Sequence, residues 1–186
     1  MTLDELLQPD TLDALLLQAY GAQLFAEHRP VLVSQWSKFY FMCFWPTVLR
    51  NCPMRSGAWE SVRLSVGPGG LPDVIELRGD STGNAVHELV ELNLRQLAKG
   101  FSAHGQVPVA VFWSNAGDAL EQALRSHTPC HWAQGLLSAR SLASGLRNPL
   151  HATVRYLPDG QRQVRACCLA WQVPGIGHCE HCPLHS

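Results

Sequence analysis

Apolar residues recur at helical spacing through the first fifty positions of the chain. Leu12, Leu15, Leu16, Tyr20 and Leu24 form one stripe behind Asp10 or Thr11, either of which can cap a helix running to about Ala26. His28-Arg29-Pro30 restarts the chain. Pro30 suits the first turn of a second helix, about Pro30 to Arg50, in which Val33, Trp36, Tyr40 and Phe44 keep the helical period. Pro46 predicts a kink or break within it. Trp59 to Val66 and Val74 to Leu77 read as strands, and the turn chemistry of Gly67-Pro68-Gly69-Gly70-Leu71-Pro72-Asp73 joins them as a hairpin. Asp80-Ser81-Thr82-Gly83 leads into a helix of about Ala85 to Ala103, with Val86, Leu89, Leu92, Leu94 and Leu97 available to a core, and Gly105 ends it. Val107 to Ser126 reads as a further helix, although Val107 to Trp113 alone also fits a buried strand. Trp132 to Leu146 reads as short helix broken by Gly135 and Gly145. Ala152 to Leu157 and Gln163 to Cys168 form a last hairpin around Pro158-Asp159-Gly160, whose second strand delivers Cys167 and Cys168 directly. The expected fold class is α+β, helix-rich, with a small antiparallel sheet and a C-terminal hairpin carrying a cysteine loop. No repeat, low-complexity tract or long linker divides the chain, so residues 1–186 are expected to form one domain.

Composition narrows the function classes. With 46% hydrophobic and 16% charged residues and a net charge of −1, the chain has no electrostatic footprint for nucleic acid. The longest apolar stretches, Phe39 to Trp45 and Val107 to Trp113, are seven residues each, against the ~20 that a bilayer span needs. Met1-Thr2-Leu3-Asp4-Glu5 has neither the basic n-region nor the apolar h-region of an export signal. Seven cysteines, an odd count, then suit the reducing cytoplasm.

The chemistry concentrates at the C-terminus. Cys167 and Cys168 are adjacent, and after ten residues comes Cys179-Glu180-His181-Cys182. Four thiols within sixteen residues suit one metal centre, since closing a short loop costs little entropy. Four thiolates serve both iron–sulfur clusters and structural zinc. The vicinal pair favours iron–sulfur: zinc knuckles usually take ligands from turns with two or more residues between them, whereas a two-iron rhomb is longer and accepts adjacent thiolates on the same or different irons. A disulfide framework ranks last, because neighbouring Cα atoms lie about 3.8 Å apart against a usual disulfide range of about 4.4–6.8 Å.

Cys-Cys, ten residues, Cys-x-x-Cys and then Pro183-Leu184 resembles the cluster signature of the FhuF-type ferric siderophore reductases. Asn148-Pro149-Leu150, Arg155, Pro158-Asp159-Gly160 and Arg165 extend the resemblance upstream, so that it is strongest over 148–184. The stretch Arg29 to Tyr40, with Ser34, Trp36 and Tyr40, is similar in a less specific way. Ala170-Trp171 departs from the family pattern, which often has a second polar or aromatic residue there. The resemblance implies a [2Fe–2S] cluster held by Cys167, Cys168, Cys179 and Cys182, with residues 148–184 as the cluster-binding segment. It also implies one-electron reduction of a ferric siderophore in the cytoplasm. No P-loop, dinucleotide-binding glycine motif or nucleophile elbow is present. A reductase of this kind therefore needs an external electron donor such as a ferredoxin, flavodoxin or flavoprotein reductase.

Two rival readings use the same residues. One is a non-catalytic zinc or iron–sulfur module for sensing; the other is an accessory protein of siderophore metabolism. Trp171, His178 and His181 lie beside the ligands and tune or gate electron transfer, bind part of the substrate or are ordinary loop residues; His178 or His181 can also replace a cysteine ligand. Cys43, Cys52 and Cys130 are scattered and carry no assigned function. The aromatics Trp36, Phe39, Tyr40, Phe41, Phe44 and Trp45 are expected mostly in the core. Arg155 and Arg165, read onto facing strands, are solvated charges or attractors for an anionic ferric complex or a reduced redox partner.

Overall fold

The computed structural model describes residues 1–50, 62–77, 85–126 and 130–184. Cys52, the Trp59 end of the first predicted strand, and Asp80-Ser81-Thr82-Gly83 lie outside the described residues.

Helix α1 (Leu3–Leu6) starts with a reciprocal cap: the Thr2 hydroxyl accepts from the Glu5 amide and the Glu5 carboxylate accepts from the Thr2 amide. Helix α2 (Pro9–Arg50) covers both predicted N-terminal helices. Its backbone leaves helical geometry at Gly21 (φ 81°, ψ 162°) and at His28 (φ −132°, ψ 18°). The second break matches the expected restart ahead of Pro30. Pro46 produces none, contrary to expectation; the carbonyl deprived of its donor belongs to Met42, an exposed residue. Of the clustered aromatics, Trp36, Tyr40, Phe41, Phe44 and Trp45 are each at most 1% exposed, while Phe39 reaches 38%. They are the core, as expected.

Strands β1 (Arg63–Val66) and β2 (Pro72–Glu76) pair antiparallel with Leu64 opposite Ile75. Their turn presses on α2, where the Gly70 carbonyl accepts from Trp36 Nε1 at 2.9 Å. Gly70 has φ +74°, and a Cβ there would lie 2.8 Å from the Leu15 carbonyl oxygen. Only glycine meets both conditions.

Helix α3 (Ala85–Glu88) runs through a π-helical segment, Leu89–Leu94, into α4 (Arg95–Gly105). The stop differs from expectation in its residue. Gln106 takes the left-handed position (φ 53°), and Gly105 instead packs inside the last turn, where a Cβ would lie 3.0 Å from Val33 Cβ. Helix α5 (Val109–Ser126) resolves the Val107 to Trp113 ambiguity in favour of helix. Helix α6 (His131–Ser138) tolerates Gly135, and Gly145 turns the chain beyond it with φ +82°. Strands β3 (Val154–Tyr156) and β4 (Arg162–Val164) form the last hairpin, with Arg155 opposite Gln163.

The fold is α+β and helix-rich, and among the described residues it has two small antiparallel sheets, one for each expected hairpin. A further correction concerns the cysteines: β4 ends at Val164, so Cys167 and Cys168 sit on a bend beyond the strand. Among the described residues no helix is long and apolar enough to cross a membrane.

Candidate metal centre

The cysteine loop is positioned by the hairpin, and the hairpin by α5. Gly117 lies where a Cβ would overlap the Thr153 hydroxyl, so its bare backbone lets the chain entering β3 lie against the helix. From β4, Arg162 points back at α5; its side chain is 6% exposed and bridges Glu121 at 2.8 Å and Asp118 at 2.5 Å. Past the strand, the Arg165 amide donates to the Thr153 carbonyl at 2.8 Å and the Ala166 amide to Ser114 Oγ at 3.0 Å. Helix α2 supplies the other wall. Ser34 Oγ and Gln35 Nε2 both donate to the Cys168 carbonyl, at 2.9 and 2.7 Å. Leu169 then takes a left-handed conformation (φ 66°), which folds the backbone sharply after the vicinal pair. Gly175 (φ 81°) and Gly177 (φ 70°) turn the chain back, as expected for Pro174-Gly175-Ile176-Gly177. The Val164 amide donates to the His181 carbonyl at 3.0 Å and ties the returning Cys179–Cys182 turn to the strand.

The four thiols meet two by two. Cys167 Sγ lies 3.7 Å from Cys182 Sγ, and Cys168 Sγ lies 3.9 Å from Cys179 Sγ. None is in a disulfide. Among the described residues, no three His, Cys, Asp or Glu side chains converge as a single-ion site. Three of the sulfurs have nitrogen neighbours: the Leu169 amide donates to Cys167 Sγ at 3.3 Å, Lys38 Nζ lies 3.8 Å from Cys168 Sγ, and His178 Nδ1 lies 3.4 Å from Cys182 Sγ. The donors from Leu169 and Lys38 stabilise sulfur in its anionic form.

The metal-free thiols are electrostatically unequal. The hydrogen bond from Cys179 draws the Cys168 thiol down to about 5, against the cost of burial and with help from the Lys38 charge. Sharing that proton with Cys168 pushes Cys179 upward. Burial pushes Cys167 up to about 11. One thiolate beside one ammonium is therefore favoured before any metal arrives.

The flanking residues sort themselves by contact. Trp171 stacks on His178 with ring centroids 5.8 Å apart, so His178 is held between an indole and the Cys182 sulfur. His181 faces a cleft of about 270 Å³ that touches Cys168, Cys179, Lys38, Asp118 and Gln122. Asn148 is a buried clip: its amide donates to the Leu136 and Ala139 carbonyls, and its carbonyl accepts from the Leu150 amide. Arg155 is engaged with Gln163 across the hairpin. Arg165 lies beyond the paired strands and opens onto a second groove, of about 480 Å³, with Arg95, Trp113 and Arg147. The residues that α5 gives this groove, Val109, Ala110 and Trp113, lie on the opposite side of the helix from those it gives the cleft, Asn115, Asp118 and Gln122. Cys43 Sγ donates to the Pro72 carbonyl at 3.5 Å, Cys130 is buried, and both remain unassigned.

Sequence reading missed Ser34, Gln35, Lys38, Ser114 and Arg162 as supports of the loop. A signal existed for three of them: Ser34, Gln35 and Lys38 interrupt an otherwise apolar helix face between Val33 and Phe39.

No curated protein matches this chain. The family model described as ferric iron reductase FhuF-like transporter matches residues 71–164. That span is half of the chain, running from the turn of the first hairpin through α4 and α5 to the last residue of β4. It takes in α5 and the last hairpin, leaves out α2, and stops three residues before Cys167. The scaffold beneath the thiols is the family's, and this chain belongs to the FhuF-like ferric iron reductase family.

Proposed function

We propose that this protein is a cytoplasmic iron–sulfur reductase of ferric siderophores, with Cys167, Cys168, Cys179 and Cys182 as the ligands of a [2Fe–2S] cluster. The observation that carries the reading is the pairwise meeting of the four sulfurs, at 3.7 and 3.9 Å, on the scaffold of this family. A tetrahedral metal with metal–sulfur bonds of about 2.3 Å spaces its sulfurs about 3.8 Å apart. Each pair is thus spaced to share one metal, and two such pairs fit a two-metal centre better than a single zinc. When bound, such a cluster supplies a one-electron couple whose potential follows net charge, hydrogen bonds to sulfur and exposure.

The chain's own residues orient and tune the ligands. Ser34 and Gln35 fix the Cys168 carbonyl, the Leu169 amide and His178 Nδ1 sit against Cys167 and Cys182, and Lys38 sets a positive charge beside Cys168. At the substrate, one electron converts Fe(III) to Fe(II), which hard oxygen donors hold far less well, so the metal is released. The electron comes from an external ferredoxin, flavodoxin or flavoprotein reductase. Residues 148–184 form the cluster-binding segment of a single domain.

The test is anaerobic purification followed by visible and paramagnetic spectra before and after dithionite, then addition of a ferric siderophore to the reduced form. A chromophore that bleaches and then recovers as Fe(II) appears is the expected result. A colourless protein holding one zinc overturns the reading, and a cluster that stays reduced beside every chelate tried removes the reductase role.

A further inference from the structure

We propose that the groove between α4, α5 and the 146–149 segment binds the anionic face of the substrate, and that this protein selects negatively charged, aryl-oxygen (catecholate) ferric chelates over neutral hydroxamate ones; the inference rests on the reductase reading above. The groove has about 480 Å³ of space, within the range of small-molecule sites. It continues into an adjoining cleft of about 300 Å³ that shares Arg95, Val109 and Trp113 and adds Lys99.

Charge gives the ligand its sign. Arg95, Lys99, Arg147 and Arg165 line the combined groove against one carboxylate, Glu91, in a chain whose net charge is −1. Glu91 is spent on Arg95, at 2.7 Å. Lys99, Arg147 and Arg165 are exposed; Lys99 also acts on Glu91, while Arg147 and Arg165 form no ion pair among the described residues. Four cations against one carboxylate around one concavity raise the local concentration of anions. The guanidinium groups of Arg147 and Arg165 also match the chelate's oxygen edges.

The apolar lining selects rings. Trp113 forms the floor with Arg95 lying 5.9 Å from its ring centroid, and Val109 and Leu146 are 39% and 48% exposed at the rim. An aryl arm can therefore lie on apolar surface while its oxygens face arginine. The groove is also close to the thiols. Arg165 is two residues from Cys167, which limits their Cα separation to about 7 Å.

Gallium(III) complexes test this without redox chemistry, because gallium is not reduced under the conditions that reduce iron. Calorimetric titration of the full-length protein compares a trianionic gallium tris(catecholate) with a neutral gallium tris(hydroxamate). The catecholate is expected to bind at least about tenfold tighter. Its affinity should weaken as salt rises, whereas the hydroxamate's should not. R147Q/R165Q is expected to lose about tenfold for the catecholate alone, and Lys99→Gln, on a separate element, a smaller share. Equal affinities, preference for the neutral complex, no catecholate binding, or unchanged binding in both variants overturns the groove assignment. The reductase reading stands or falls separately, on the spectra and Fe(II) release described above.

Discussion

Lys38 places an ammonium 3.8 Å from Cys168 Sγ, and its charge also reaches Cys179. A cation beside the ligands favours the more negative, reduced state of the proposed cluster. Lys38→Gln is therefore expected to lower the midpoint potential by about 60 mV, tenfold in a one-electron equilibrium, while Lys38→Arg keeps most of it. A potentiometric titration followed by paramagnetic resonance reads both. The sulfur spacings make a sharper claim. Cys167→Ser and Cys182→Ser should share one spectroscopic signature, and Cys168→Ser and Cys179→Ser another. Variants that group as neighbours in sequence would refute the pairing. The four cysteines were legible because they fall within sixteen residues. Ser34, Gln35 and Lys38 were not, since they reach the loop across 130 or more positions and helix packing alone decides that meeting.

The hairpin and α5 act as one unit at the scale of elements. Gly117→Ala is expected to push Thr153 and the β3–β4 hairpin away from the helix. A cost of about 2 kcal/mol should appear as a lower Tm, together with a lower content of bound metal per chain, measured by elemental analysis. Glycine within a helix carries a propensity cost, and here a close approach explains it. Hairpins and helices were legible from turn residues and apolar period. Their ends were less so. Gly105 reads as a stop signal but serves packing against Val33, and Pro46 reads as a break yet the helix runs through it. The strand expected to reach Cys168 stops at Val164, where the chain turns to bond Ser114 and α2 rather than a neighbouring strand. Those outcomes depend on what lies opposite each residue, which periodicity does not record.

For the whole molecule, carboxylates tie distant segments together and set the response to acid. Burial works to raise the Glu121 pKa, but hydrogen bonds from Tyr156, Arg125 and Arg162 hold it below the usual range. Asp13 is likewise lowered, against burial, by Arg29 and His104, and Glu91 chiefly by its hydrogen bond from Arg95. A lowered folded-state pKa contributes stability above the unfolded value, about 4, and loses it as pH falls through the folded one. Urea midpoints should therefore hold from neutral pH to about 5 and drop below about 4. Glu121→Gln should cost about 2 kcal/mol at pH 7, because it leaves the nearly buried Arg162 with Asp118 alone, and should reduce the acid-dependent part of the drop. The α+β class was legible in the chain; the two clefts were not, because each is assembled from residues of several elements. Their placement on opposite sides of α5 has a kinetic consequence. An electron acceptor seated in the arginine groove leaves the thiol cleft free, so donor and acceptor can occupy the protein together. In the proposed reductase, neither substrate should then inhibit the other by competition in steady-state kinetics.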